Sequence, residues 1–167
     1  TLDVVQTPST RLALGRMIHQ QYQTEQESRT DGFQRESSLK HQLSIDGWTV
    51  TLTGRVDGLR AEGHVQVVEE IKSTALDSYR LLQTTIEDWS RQVRQLEGYL
   101  WLLNSAGYPD VRGRLILISI VDGSRHHLGV DLVHGDTDVR IRQQIRSLIH
   151  ARQQRLAWLN ARRGATL

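Results

Sequence analysis

Residues 54–72 read GRVDGLRAEGHVQVVEEIK, and how this stretch folds decides the rest. Val50-Thr51-Leu52-Thr53 before it and Val65-Gln66-Val67-Val68 within it are rich in β-branched residues, which suit a pleated surface. Between them, residues 58–64 are polar and hold two glycines. The stretch therefore reads as a β-hairpin, with Asp57 near the end of its first strand. Side chains alternate along a strand, so Glu70 and Lys72 share one face and Ile71 takes the other. Asp57 lies within reach across the pair. Two carboxylates and a lysine on one face are costly to bury unless something binds there. A divalent cation would satisfy both carboxylates.

Upstream, Pro8-Ser9-Thr10 is a helix start. Leu12, Leu14, Ile18 and Tyr22 follow at mixed helical spacing, and the helix is expected to end near Glu27. Asp31-Gly32 marks a turn in a polar stretch. Residues 37–45 alternate as a strand, and Asp46-Gly47 is a strong hairpin signal before the strand at 48–56. Downstream, a polar exit at 73–77 leads to a short helix at 78–84. Trp89, Val93, Leu96, Leu100 and Leu103 then step by threes and fours, which predicts a helix over 86–104. Asn104 to Gly107 and Pro109 end it. Leu115-Ile116-Leu117-Ile118, within a strand at 112–121, is an apolar run typical of a strand covered on both faces. Asp122-Gly123 turns the chain into a partner strand at 125–132. A last helix is expected over 137–161, with Val139, Ile145, Leu148, Ile149, Leu156 and Leu159 as its apolar side. The order predicts an α/β fold, a central mixed β-sheet flanked by helices.

The chain has 167 residues, 38% apolar and 24% charged, ordinary values for one globular domain. No apolar run approaches the ~18 residues of a membrane span, and no signal-peptide pattern opens the chain. The first residue is Thr1 and not methionine, which suggests a processed chain or an excised domain. Without cysteine there is no disulfide, no thiolate zinc site and no cysteine-held iron–sulfur cluster, in keeping with an intracellular protein. The net charge is only +2, but it is unevenly spread. Residues 140–163 carry Arg140, Arg142, Arg146, Arg152, Arg155, Arg162 and Arg163 with no Asp or Glu. Such a block suits a polyanion such as nucleic acid, or simply solvates a helix face.

Asp57 and Glu70 are hard oxygen ligands suited to Mg²⁺ or Mn²⁺, and His19 would add a nitrogen. Lys72 could hold an attacking water or stabilise charge developing on a phosphorane. Together these parts suit phosphodiester hydrolysis. Singly they are weak, because a lone helix histidine is more often packed or at the surface, and an E-x-K triplet is a common ion pair. Gln95 and Tyr99, four apart, project together from the 86–104 helix. On spacing alone they read as a boundary residue and a core aromatic.

The combination resembles the PD-(D/E)xK nuclease superfamily, and within it the RecB-type exonucleases. Gly15-Arg16-Met17-Ile18-His19 is similar to the G-x-x-x-H motif of the first helix, and Gly54-Arg55-Val56-Asp57 to G-x-x-D. Glu70-Ile71-Lys72 matches (D/E)-x-K, and Gln95-Leu96-Glu97-Gly98-Tyr99 matches Q-x-x-x-Y. Each motif is short; their order and spacing make the set specific. The resemblance implies a restriction-endonuclease-like fold over one domain, 1–167. It implies that His19, Asp57 and Glu70 bind the metal with the Ile71 carbonyl. Lys72 would be catalytic, and Gln95 and Tyr99 would line the site and position DNA. Many relatives staple the domain ends through four cysteines and an iron–sulfur cluster. This chain has none, which places it in the cluster-free branch or replaces the staple by packing of the terminal helices. Such domains also occur fused to helicases, which would account for the start of the chain.

The expected activity is thus a metal-dependent deoxyribonuclease, a single-strand exonuclease in DNA repair or processing. Arg94 and the C-terminal arginines would engage phosphates. The alternatives are a catalytically silent nucleic-acid-binding module of a larger assembly, or a structure-specific endonuclease.

Overall fold

A computed structural model describes residues 9–164. Along them run α1 (Ser9–Arg29), β1 (Gln34–Ile45), β2 (Trp48–Glu62), β3 (Val65–Thr74) and α2 (Ser78–Leu82). A 3₁₀ turn (Ile86–Trp89), α3 (Ser90–Ser105), β4 (Val111–Ser119), β5 (Arg125–Val130) and α4 (His134–Gly164) complete the order. Pro8 and the side chain of Arg163 lie outside the described residues.

The strands stand in the sheet in chain order, β1 to β5. Three of the four pairings are antiparallel, each closed by a short turn. Asp46 and Gly47 both take positive φ, 50° and 78°, as a two-residue hairpin loop demands. Only β3 and β4 pair in parallel, because the chain leaves the sheet between them through α2 and α3. The result is the expected mixed sheet flanked by helices.

The apolar run of β4 serves two cores. Leu115 and Leu117 pack with Leu96, Leu100 and Leu103 beneath α3. Ile116 and Ile118 face the other way and meet Ile71 and Tyr22 beneath α1. Of the stripe read from spacing, Leu96, Leu100 and Leu103 are buried while Val93 and Trp89 are half-buried, and residues 86–89, expected as part of the same helix, form the 3₁₀ turn. On α1 the stripe is shorter than expected: Tyr22 is buried and Ile18 packs beside it, but Leu12 and Leu14 are exposed.

Two further expectations need correction. The turn expected over 58–64 is only Gly63-His64, and β2 continues through Leu59, Arg60 and Ala61, which pair with Val68, Val67 and Gln66. Gly58 is not a turn glycine. The Phe33 ring lies so close that a Cβ on Gly58 would sit 2.7 Å from it, so glycine there permits a close approach. Asp57 is therefore well inside a long strand.

The second correction concerns α4. Of its six expected core residues Ile145 is buried and Ile149 is half-buried, whereas Val139, Leu148, Leu156 and Leu159 are exposed. A helix of 31 residues is about 46 Å long and outruns the sheet it packs on. Its first half is anchored: the Trp101 indole donates to Asp138 at 3.1 Å, and Arg140 pairs with Glu97 at 2.6 Å. Residues 150–162 are all exposed. No helix among the described residues is long and apolar enough to cross a membrane.

Truncating a side chain in each half of this pattern should separate core from surface. Leu96→Ala should cost about 2–5 kcal/mol in urea unfolding, through lost burial and a cavity. Leu148→Ala should stay within about 0.5 kcal/mol of wild type. A comparable loss from both would mean that distal α4 belongs to the folding core.

Candidate active site

Asp57 belongs to neither of its neighbours' ladders. The β1–β2 register passes from Ser37↔Val56 to Arg35↔Gly58, and the β2–β3 register begins at Gly58↔Glu69. Opposite Asp57 stands Glu36, a non-glycine residue held at φ 51°. A positive φ at such a residue is uncommon and breaks strand pairing locally. The strand also changes face here. Val56 and Leu59, three apart, both join the core beneath α3, while Gly58 between them meets Phe33 and Glu69 on the α1 side.

The backbone groups freed by this break are taken up by side chains. The Asp57 carbonyl accepts from Gln23 Nε2 at 2.8 Å, and Gln23 is itself buried. The Asp57 carboxylate accepts from the Ile71 amide at 2.8 Å. In an extended residue the N–H and C=O leave on the same edge, so the Ile71 carbonyl opens into the same gap between β2 and β3. The Ile71 side chain is fully buried beneath α1.

Helices close the gap from two sides. From α1, His19 Nδ1 stands 4.0 Å from Asp57 Oδ2. From α3, Gln95 donates to the Tyr99 hydroxyl at 2.9 Å and also helps hold the Glu70 carboxyl down. Tyr99 lies against β2 at Gly54, where a Cβ would meet its ring at 2.7 Å. In the sheet, Lys72 Nζ pairs with Glu70 Oε1 at 2.5 Å. The structure thus brings His19, Asp57, Glu70, Ile71, Lys72, Gln95 and Tyr99 to one end of the sheet.

Electrostatics divide these groups. Burial, and then the Asp57 charge, push the Glu70 carboxyl up, against the pull of Lys72 and Gln95. Burial also lowers the His19 imidazole, helped by Lys72 and opposed by Asp57 and Glu36, so the ring is neutral at neutral pH. A neutral imidazole beside two mutually repelling carboxylates is a donor set suited to a hard divalent cation. Among the described residues no three His, Asp or Glu side chains converge into a ready metal-holding group. Glu70 is turned towards Lys72, and His19 stays 4.0 Å from Asp57.

Several residues of the site escaped the sequence reading. Gln23 lies four residues after His19, on the same helix face, and that spacing was its one signal. Glu36 and Arg55 form an ion pair at 2.9 Å beside the site. They line a groove of about 700 Å³ with Arg16, His19 and Lys72. Arg94 is exposed on α3. Of the C-terminal arginines, Arg140, Arg142 and Arg146 are already paired, with Glu97, Asp138 and Asp46.

No protein-family model and no curated protein matches this chain. Among solved structures, one described as "Crystal structure of SSO0001" is similar over 84% of this chain, with a TM-score of 0.58 and 19% identity. This chain spans 61% of that chain's length. At such identity the likeness speaks to the fold alone: an α/β arrangement of a mixed sheet flanked by helices.

The Glu70 environment sets a pH dependence. A free glutamate titrates at 4.5, and the folded value is higher. The native protein therefore keeps a proton that the unfolded chain has released. The associated stability is full below pH 4.5 and is lost as pH rises through the folded pKa. Glu70→Gln removes that loss. In EDTA its melting temperature should exceed that of wild type near neutral pH, and the gap should close on acidification. Equal melting at neutral pH would mean that Lys72 fully compensates the buried charge.

Proposed function

We propose that this chain is a divalent-metal-dependent deoxyribonuclease of the PD-(D/E)xK type, acting on phosphodiester bonds of linear single-stranded DNA in repair or processing. The observation that carries this reading is the meeting of Asp57, Glu70 and Lys72 at the break between β2 and β3, closed by His19 from α1 and Gln95–Tyr99 from α3. Its cysteine-free composition and its DNA substrate fit an intracellular site of action. Fusion to, or association with, a helicase fits the family resemblance.

His19, Asp57, Glu70 and the Ile71 carbonyl would hold Mg²⁺ or Mn²⁺. A bound cation of this kind lowers the pKa of a coordinated water and polarises a phosphoryl oxygen. The remaining work falls to the chain's own groups. Lys72 carries its charge beside Glu70 and can move from carboxylate to water or phosphoryl oxygen as charge develops. Gln95 orients the Tyr99 hydroxyl and keeps the Tyr99 ring at the edge of the site, where a base can stack. Gln23 holds the Asp57 backbone out of the ladder and so keeps the carboxylate facing the gap. Arg16 in the adjoining groove supplies positive charge along the path of a phosphate backbone, beside the Arg55–Glu36 pair.

A second reading is a nucleic-acid-binding module that does not turn over. The close Glu70–Lys72 pair favours it, since each group neutralises the other.

Digestion of end-labelled linear single strands, linear duplex and circular single strands with Mn²⁺, Mg²⁺ or EDTA tests both readings. Metal-dependent loss of linear single strands is expected, abolished in Glu70→Ala. Lys72→Ala should slow cleavage by about 10²–10³-fold while Mn²⁺ affinity, read by calorimetry, persists. Cleavage of circles would indicate an endonuclease. DNA retention in a gel shift without cleavage under either metal would favour the silent module.

A further inference from the structure

The distal half of α4 combines two properties that seldom coexist on an idle surface. Leu148 is 71% exposed, Leu156 42%, Trp158 53% and Leu159 38%. Leu148, Ala151, Leu156 and Leu159 line a shallow groove whose other walls are Arg152 and Arg155. At Leu148 and Arg152 this groove meets a second one, between α4 and the start of β2 at Trp48 to Leu52. The two form a track from the sheet edge along the helix. Exposed apolar patches rimmed by charge mark interaction sites.

Charge decides what fits the track. Residues 140–163 contain seven arginines and no acidic residue. Arg140, Arg142 and Arg146 spend their charge within the chain, on Glu97, Asp138 and Asp46. Arg152 and Arg155 have no acidic partner among the described residues, and they are the two beside the exposed leucines. A second copy of this helix would set these arginines against themselves, a like-charge contact that costs affinity. Nucleic acid would satisfy the arginines but leave the leucines in water. A ligand that meets both demands carries carboxylates and aliphatic side chains at helical spacing. We propose that distal α4 docks an acidic amphipathic helix of a partner protein, with its leucine-type anchors in the α4 track and its carboxylates on Arg152 and Arg155.

The probe is a synthetic peptide with leucine and glutamate in heptad spacing, set beside its leucine–lysine counterpart and a single-stranded oligonucleotide. Titration calorimetry at physiological salt should show binding of the glutamate peptide and not of the lysine peptide. Arg152→Glu combined with Arg155→Glu should weaken the glutamate peptide at least about tenfold and admit the lysine peptide. Leu156→Ser combined with Leu159→Ser should abolish binding of the glutamate peptide. Both double variants lie outside the buried cores, so unchanged melting temperatures show that they are folded.

Four outcomes would overturn the proposal. Equal binding of both peptides by wild type would mean unspecific apolar adhesion. No binding of the glutamate peptide would mean that the track takes no such helix. Binding of the oligonucleotide alone, lost on charge reversal, would make this a nucleic-acid surface. Self-association in sedimentation that disappears in the leucine variant would make it an interface between copies of the chain.

Discussion

The hydrogen bond from the Ile71 amide to the Asp57 carboxylate organises this end of the molecule. In an unbroken hairpin that amide would have a backbone partner on β2. Here β2 and β3 have parted, and a side chain takes the place of the ladder. A buried amide without a partner would cost about 1–3 kcal/mol, so the bond makes the separation tolerable. The gap it leaves admits carboxylates from two strands and side chains from two helices. Glu36, at φ 51°, and Gln23, on the freed Asp57 carbonyl, support the same break from the outer side.

Two adjacent glutamates on β3 show how neighbouring residues acquire different roles. Both are almost fully buried, and because side chains alternate they face opposite sides of the sheet. Glu69 lies beneath α1, where it accepts from the Tyr22 hydroxyl at 2.9 Å and meets Arg60 at 3.3 Å and Arg114 at 3.4 Å. That network has partners for its charge and fastens α1 to the sheet. Since His19 and Tyr22 share a helix, the network also sets where His19 stands. Glu70 has only Lys72 and Gln95 against its own burial and the Asp57 charge. Burial raises the carboxyl of both glutamates, but only Glu70 stands beside the Asp57 carboxylate, and that pairing suits a shared cation.

The α4 helix carries a different lesson about apolar pattern. Its apolar residues recur at helical spacing, though less regularly than those of α3. The α3 stripe faces a sheet and is buried, whereas the α4 stripe runs past the edge of the body. Periodicity reports that a helix has an apolar side. It does not report whether the same chain provides anything to cover it.

The sequence alone determined the element order, the mixed sheet and the β4 run covered on both faces; Asp57, Glu70 and Lys72 were legible as one cluster, whereas Gln95 and Tyr99 came only from the motif resemblance. Hydrophobic period, turn residues and the spacing of Glu70, Ile71 and Lys72 are local properties, and local rules read them. The tertiary structure alone decided where β2 ends, because Gly58 answers to the Phe33 ring and not to a turn. It alone separated Glu69 from Glu70, drew Gln23 and Glu36 into the site, and left distal α4 uncovered by the described residues. Each of these depends on atoms distant in the chain, whose approach no neighbouring residue announces.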